Sequence, residues 1–381
     1  QQELLRKRLR REAVLAQPVL TIQPRPEKES APVSLTQQRV WFLEQLEPGS
    51  SAYHIPLALR VRGAINLAAL QTSLDEIVQR HESLRTTFIS QDGQPVQRIA
   101  AQLQVKLTLS ELPELSSEER TQQVALFIQQ ETQEPFDLAA GPLLRVRLLR
   151  ISPEEHIMVI VLHHIIADFW SVNIFFEELI TLYKAYFMGG VSLLPALPVQ
   201  YGDYAYWQRT LLPEDVLEQS SDYWRQQLEQ APSAISLTPY QPVPAVPTYR
   251  GATHYFTIAQ DLKDRLRQAS QREGVTSFMV LLAALQVTLT RYSGVKDLII
   301  GSSSANRIVP EVEKLIGFFA NTLVFRGDLT DNPTIHDLLQ RTRKITLDGQ
   351  KHQNVPFERA LPPERDLNRN PLFQVMLVLQ N

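Results

Sequence analysis

Apolar residues along the chain fall into short runs of strand period and longer runs of helical period. Residues 54–61 read as a strand, after which Asn66 caps a helix through about residue 79, with Leu67, Leu70, Leu74, Ile77 and Val78 on one face. Residues 86–90 and 94–99 flank an Asp92-Gly93 turn and predict a hairpin. A helix over 116–134, a strand over 143–151 after Gly141-Pro142 and a strand over 157–162 follow. An amphipathic helix over 172–187 then stops at Gly189-Gly190. The second half opens on the aromatic-rich Tyr201-Gly-Asp-Tyr-Ala-Tyr-Trp-Gln208, then a helix over 215–230 and a proline-rich connector over 232–250. It continues with a strand (253–258), helices (261–273 and 278–292), a strand (298–301), a helix (335–347) and a final strand (372–379). Each half mixes strands and helices, which predicts an α+β protein of two lobes of similar build.

The pattern also sets expected boundaries. Residues 1–17 are highly charged and include Arg6-Lys-Arg-Leu-Arg-Arg11, but the interleaved Glu residues make a solvated helix or linker the better reading than a nucleic-acid arm. Residues 18–33 are rich in Pro, Glu and Ser and read as a linker, so order is expected to begin at Ser34. The division expected is therefore a linker over 1–33, a first lobe over 34–195 and a second lobe over 196–381.

One run carries the chemistry. His156-Ile-Met-Val-Ile-Val-Leu-His163-His164-Ile-Ile-Ala-Asp168-Phe169-Trp170-Ser171 is a β-favouring apolar stretch that ends in two adjacent imidazoles, with a carboxylate four residues after the second. Side chains alternate faces along a strand, so His163 and His164 point to opposite sides if the strand persists through them. Asp168 is placed to fix the loop, to cap a helix starting near Ser171, or to pair with a distant Arg. Two readings are open: an imidazole on a rigid support acting on a proton or a nucleophile, or two hydrogen-bonded histidines at a strand terminus. A metal reading is weaker, because adjacent strand histidines diverge and no third ligand is nearby in sequence.

Composition narrows the options. The chain has 381 residues, enough for two ordinary domains, with 44% hydrophobic and 21% charged residues. A net charge of −3 gives no broad attraction to nucleic acid. With 0 cysteines there is no disulfide and no thiol nucleophile among these residues, which fits a cytoplasmic protein. The longest apolar stretch, 278–285, is far short of a membrane span. The first residue is Gln1, not Met, so the chain reads as a segment of something longer. The sequence holds no Walker loop, no Gly-x-Gly-x-x-Gly, no Gly-x-Ser-x-Gly and no His-Glu-x-x-His. Ser302-Ser303-Ser304 reads as a polar turn after a strand. An enzyme with this inventory would run on acid–base chemistry and positioning, with an activated substrate brought from outside.

At His163-His-Ile-Ile-Ala-Asp168 the chain resembles the condensation domains of nonribosomal peptide synthetases, a family grouped with chloramphenicol acetyltransferase in fold. Further motifs of that family stand in order: Ser34-Leu-Thr-Gln-Gln-Arg-Val-Trp-Phe-Leu43, Arg80-His-Glu-Ser-Leu-Arg-Thr-Thr-Phe88 and the 201–208 segment. Ile316-Gly-Phe-Phe-Ala-Asn-Thr-Leu323, ending near Arg326, is similar to the segment bridging the two lobes. His352-Gln-Asn-Val-Pro-Phe-Glu358 and Arg365-Asp-Leu-Asn-Arg-Asn-Pro-Leu372 close the set.

The resemblance implies two chloramphenicol acetyltransferase-like lobes arranged as a V around a substrate tunnel. It implies upstream donor and downstream acceptor carrier proteins as partners, presenting phosphopantetheine-tethered thioesters, with an adenylation domain in the same assembly line. The chain itself would bind no cofactor and no metal, and would engage neither nucleic acid nor membrane. The acceptor's α-amine would attack the donor thioester, forming an amide. By position His164 is the catalytic histidine, acting as base or orienting the amine. His163 is its structural neighbour, and Asp168 is a structural carboxylate expected to pair with Arg307 of the second lobe. Phe169, Trp170, Ser171 and Asn321 are expected to line the tunnel, although Phe169 and Trp170 read equally as core residues of the helix start, and for Trp170 the core reading is the preferred one.

The chain departs from the family pattern in places. Phe169 stands where Gly usually follows the Asp, which bears on pocket shape more than on chemistry. Asn354 and Ala320 replace the commoner Asp and Val. Members normally run several tens of residues past Pro371-Leu-Phe-Gln, so the second lobe is expected to lack its last elements and to expose strand edges. An epimerisation domain shares the His-His-x-x-x-Asp signature, but the opening Trp41-Phe-Leu and the 80–88 motif argue against it. A heterocyclising relative would carry Asp in place of His163. A catalytically silent docking platform that recruits enzymes in trans is the rival of another class; such domains usually lose one histidine of the pair, and both are present here. Trp170-Ser171 and the 80–88 motif look closer to the subtype taking an L-configured, fatty-acyl or polyketide donor than to the D-donor subtype.

Overall fold

The computed structural model describes residues 21–113, 115–211, 214–231, 235, 251–356 and 373–380. By compactness the chain divides into one unit of residues 20–212 and 307–320 and another of 213–306 and 321–381.

The first unit contains β1 (Ser30–Pro32), α1 (Leu35–Leu46), β2 (His54–Arg62), α2 (Leu67–Arg80), β3 (Thr86–Gln91), β4 (Gln94–Ile99) and β5 (Thr108–Glu111). It continues with α3 (Ser117–Gln133), β6 (Leu144–Ser152), β7 (Glu155–His163), α4 (Phe169–Phe187) and α5 (Tyr201–Tyr206). Two sheets form, in strand orders β1-β4-β3 and β2-β7-β6-β5. The β3–β4 hairpin turns on Asp92 and Gly93 at φ 50° and 77°, the double positive φ that its tight turn requires. Asn66 caps α2 by accepting the Ala69 N–H, and Leu70, Leu74, Ile77 and Val78 are buried as the period requires. β7 is buried from His156 to His163, as a central strand covered on both faces must be. Its antiparallel register with β2 sets His163 opposite His54. The core gathers around β6, β7, α2 and α4.

Two expectations shift here. Order begins before Ser34: Ile22 and Arg25 are buried, and Arg25 Nη1 lies 2.8 Å from Asp203 Oδ1 and 2.9 Å from Glu82 Oε2. Pro, Glu and Ser read locally as linker, but the partners that hold this segment are distant in sequence. The compact units also divide the chain elsewhere than at 195/196. Residues 201–211, a helix that widens into a π turn at Trp207–Leu211, stay with the first unit. Leu35 N–H donates to Gln208 Oε1 (2.9 Å) and Arg209 Nε to the Val33 carbonyl (2.9 Å), and the hydroxyl oxygens of Tyr201 and Ser34 meet at 2.9 Å.

The second unit contains α6 (Glu214–Leu228), α7 (Gln260–Glu273), α8 (Ser277–Ser293), β8 (Asp297–Ser304), β9 (Asn321–Asp328) and α9 (Ile335–Lys351). β8 and β9 pair antiparallel over a core that includes Trp224, Leu282, Leu298, Ile300 and Phe325. The expected final strand is reduced to a bridge between Gly301 and Met376. The expected strand over 253–258 has no partner strand among the described residues, and Tyr255 is 88% exposed. An alternating stretch becomes a strand only where a sheet edge meets it. The charged arm over 1–17, most of the 232–250 connector, Phe357, Glu358 and the 365–372 motif lie outside the described residues. Among the described residues no single helix is long and apolar enough to cross a membrane.

Candidate active site

β7 delivers the two imidazoles to opposite environments. His163 is wholly buried, among the rings of Tyr53, His54 and Phe136 at centroid distances of 6.4, 6.1 and 5.9 Å. Its Nδ1 accepts the Ile165 N–H at 3.2 Å. His164 is half-buried. Its backbone N–H donates to the Tyr53 carbonyl (2.7 Å), and its ring meets Phe318 edge-on at 4.7 Å. The His164 Nδ1 is buried and finds no hydrogen-bond partner among the described residues. Burial pushes the His164 pKa below its ordinary 6.5, opposed by the backbone of His164 and Ala167 and by the Asp168 charge. The ring is thereby kept neutral near pH 7, the form that can accept a proton.

Asp168 is used up in structure. It caps α4 and is buried. Oδ1 accepts from Ser171 N (2.8 Å), Ser171 Oγ (2.7 Å) and Arg307 Nη2 (3.2 Å). Oδ2 accepts from the backbone amides of Phe319 (3.1 Å) and Ala320 (3.2 Å). A carboxylate offers about four acceptor positions, so this one has none left for substrate. Arg307 completes the anchor. Its Nη1 donates to the carbonyls of Val312 (2.5 Å) and Leu315 (2.8 Å), and its guanidinium lies 4.2 Å over the Phe319 ring. Arg307, expected from the second lobe, sits with residues 307–320 in the first unit.

The residues expected to line a tunnel differ in exposure. Phe169 is 59% exposed. Trp170 is not core: it is 39% exposed and donates Nε1–H to the Glu313 carbonyl at 3.0 Å. Ser171 is buried and bonds Asp168 and both backbone groups of Gly317 (2.9 and 3.0 Å). Asn321 is buried in the second unit, donating to the Gln353 carbonyl at 2.7 Å. Among the described residues no group of three or more His, Cys, Asp or Glu side chains is placed to hold a metal.

Sequence reasoning missed several parts. Phe318 was only one letter of a motif, yet its ring abuts His164. His81, buried, accepts the Ile316 N–H at Nδ1 (3.2 Å) and meets Glu178 Oε2 at Nε2 (2.8 Å). Gly317 passes so close to Tyr201 that a Cβ would lie 2.0 Å from the ring. Its place in the motif has a plain steric reason.

This α+β architecture and motif order define the class. Residues 27–381 match the family model of the condensation domain, and the chain belongs to that family, in the chloramphenicol acetyltransferase-like fold. It is similar to a segment of one of the linear gramicidin synthase proteins of Brevibacillus parabrevis, 44% identical over 372 residues, covering 97% of this chain and 5% of that protein. Against three such synthase proteins, the chain spans about 5–7% of their length. The X-domain from teicoplanin biosynthesis has a TM-score of 0.83 at 28% identity, covering 94% of this chain and 79% of that one. That X-domain has also been solved in complex with OxyB. A four-domain nonribosomal peptide synthetase bound to AMP and glycine matches at TM-score 0.80 and 24% identity, covering 96% of this chain and 27% of that one. At that identity the likeness is one of fold.

Proposed function

We propose that the chain forms amide bonds between a donor acyl or peptidyl thioester and the α-amine of an acceptor aminoacyl thioester, each tethered to a carrier protein. The observation that carries this reading is the placement of His164: a half-buried imidazole at the end of β7, held neutral by burial, beside a carboxylate fully spent on structure. The amine nitrogen attacks the thioester carbonyl carbon and a C–N bond forms. The ammonium proton passes to His164, the C–S bond breaks, and the thiolate leaves on the donor's phosphopantetheine arm, taking up a proton. A neutral imidazole near pH 7 suits the proton transfer, and holding amine and carbonyl together supplies much of the rest. The carriers bring the phosphopantetheine arms, and an adenylation domain of the same assembly line would load the acceptor.

The test uses two loaded carrier proteins and intact-protein mass spectrometry. Transfer of the donor group is expected for wild type and lost in His164→Ala. Retained transfer in the variant removes His164 as essential while leaving condensation standing. A second reading, a silent platform that recruits a partner enzyme, is favoured by the likeness to an X-domain solved with OxyB. A folded wild type that transfers none of several donors would move the assignment there.

A further inference from the structure

Helix α1 buries the wrong residues for a simple core helix. Its buried positions are Thr36, Gln37, Val40 and Glu44, while Phe42 and Leu46 are 53% and 50% exposed. Gln37 and Glu44 lie about two turns apart on one face. An amphipathic helix ordinarily turns its apolar stripe inward, and burying an amide and a carboxylate is costly unless each finds partners.

The partners are in the turn that carries the histidines. Gln37 Nε2 donates to the Ile165 carbonyl at 2.9 Å, while its Oε1 accepts the Ser34 N–H at 3.0 Å. His163 Nδ1 accepts the Ile165 N–H at 3.2 Å. Ile165, the residue next to His164, is therefore gripped at both its N–H and its C=O. With a donor at Nδ1, the ring hydrogen of His163 belongs on Nε2. That atom lies 3.7 Å from Glu44 Oε2. Both are buried, and neither has a hydrogen-bond partner among the described residues. Glu44 Oε1 accepts the Gly49 N–H at 3.3 Å, which aims the carboxylate. The same arrangement stands fully closed elsewhere in this unit: His81 accepts a backbone N–H at Nδ1 and meets Glu178 at 2.8 Å through Nε2.

We propose that Gln37 and Glu44 are positioning residues for His164, acting through the Ile165 backbone and the His163 ring. Glu44 fixes the orientation of His163. His163 and Gln37 then fix Ile165, and with it the direction in which the His164 ring leaves β7. Neither residue touches substrate. The proposal rests on the reading of His164 as the group that serves the acceptor amine.

The experiment compares Glu44→Leu and Glu44→Gln in the full protein, by ¹⁵N-histidine and backbone-amide NMR and by carrier-to-carrier transfer at varied acceptor concentration. Glu44→Leu is expected to shift the His163, Ile165 and His164 resonances. It should lower kcat by on the order of 10²-fold, the scale of an ångström misplacement of a reacting group, with KM within about threefold. Glu44→Gln keeps an oxygen acceptor and is expected to restore most of kcat. A folded Glu44→Leu with unchanged His164 resonances and unchanged kcat overturns the proposal. Should Glu44→Leu not fold, Glu44→Gln decides: loss of transfer with unchanged histidine resonances overturns it. A wild type that transfers nothing, with resonances responding as expected, overturns the reading of the reaction and upholds the positioning.

Discussion

Arg307 Nη2 lies 3.2 Å from Asp168 Oδ1, joining two buried side chains 139 residues apart. The pair lashes residues 307–320 to the start of α4. Burial weighs against the Arg307 charge and Asp168 opposes it. Removing one partner strands the other. Asp168→Ala also takes the acceptor from the backbone amides of Ser171, Phe319 and Ala320. The expected loss is about 3–5 kcal/mol, measured by urea unfolding. Asp168→Ala combined with Arg307→Met should cost less than the sum of the two single changes.

The strap over 316–320 has backbone groups bonded to side chains along its whole length. Ile316 C=O accepts from Ser83 Oγ (2.7 Å) and Phe318 C=O from the Tyr201 hydroxyl (2.7 Å) and Thr36 Oγ1 (3.2 Å). Gly317 leaves no room beside Tyr201. Gly317→Ala is expected to displace the ring and cost about 1–3 kcal/mol, visible as a lower urea midpoint. An unchanged midpoint would show that the strap yields freely.

Much of this was legible in the sequence, and the reasons for the rest are physical. β7 announced itself because a covered central strand is continuously apolar and this one ends abruptly in two imidazoles, of which the structure packs His163 inside and leaves His164 half-buried. Asp168 and Arg307 were named through a resemblance; local spacing alone left the Asp168 role open. β5, four residues long, and β9, which ends in Arg326-Gly-Asp328, were not assigned. Such short or polar-ended strands are made by their partners. Glu44 and His81 were missed because their roles arise only when distant elements meet.

Protonation gives a further expectation. Burial lowers the pKa of His81, with Glu178 opposing and Arg80 and Arg307 reinforcing, and it lowers that of His164. His54, His156 and His352 shift the same way, burial again the largest cause. The unfolded chain takes up protons near the ordinary 6.5, where the folded chain still resists them. The stability of the neutral rings is therefore present above that pH and is lost as pH falls below it. The urea midpoint should drop on acidification from about pH 6.5 toward 5, and less steeply in His81→Gln. A flat midpoint across that window would contradict the burial of these rings.

Phe318 offers the most direct handle on His164. The two rings meet edge-on at 4.7 Å with a 68° interplanar angle, a contact worth about 0.5–1.5 kcal/mol beyond its area. The ring also withholds water from the imidazole, and burial is the largest cause of the lowered His164 pKa. Phe318→Ala removes that cover and leaves the Phe318 carbonyl, with its bonds to Tyr201 and Thr36, in place. The His164 pKa is expected to rise toward 6.5. More of the ring is then protonated near neutrality, so transfer should fall at about pH 6.5 and recover toward pH 8, as expected for a base with a raised pKa. NMR titration of His164 with transfer rates at matched pH checks both halves. A risen pKa with an unchanged rate at low pH would mean that the imidazole orients the amine and does not accept its proton.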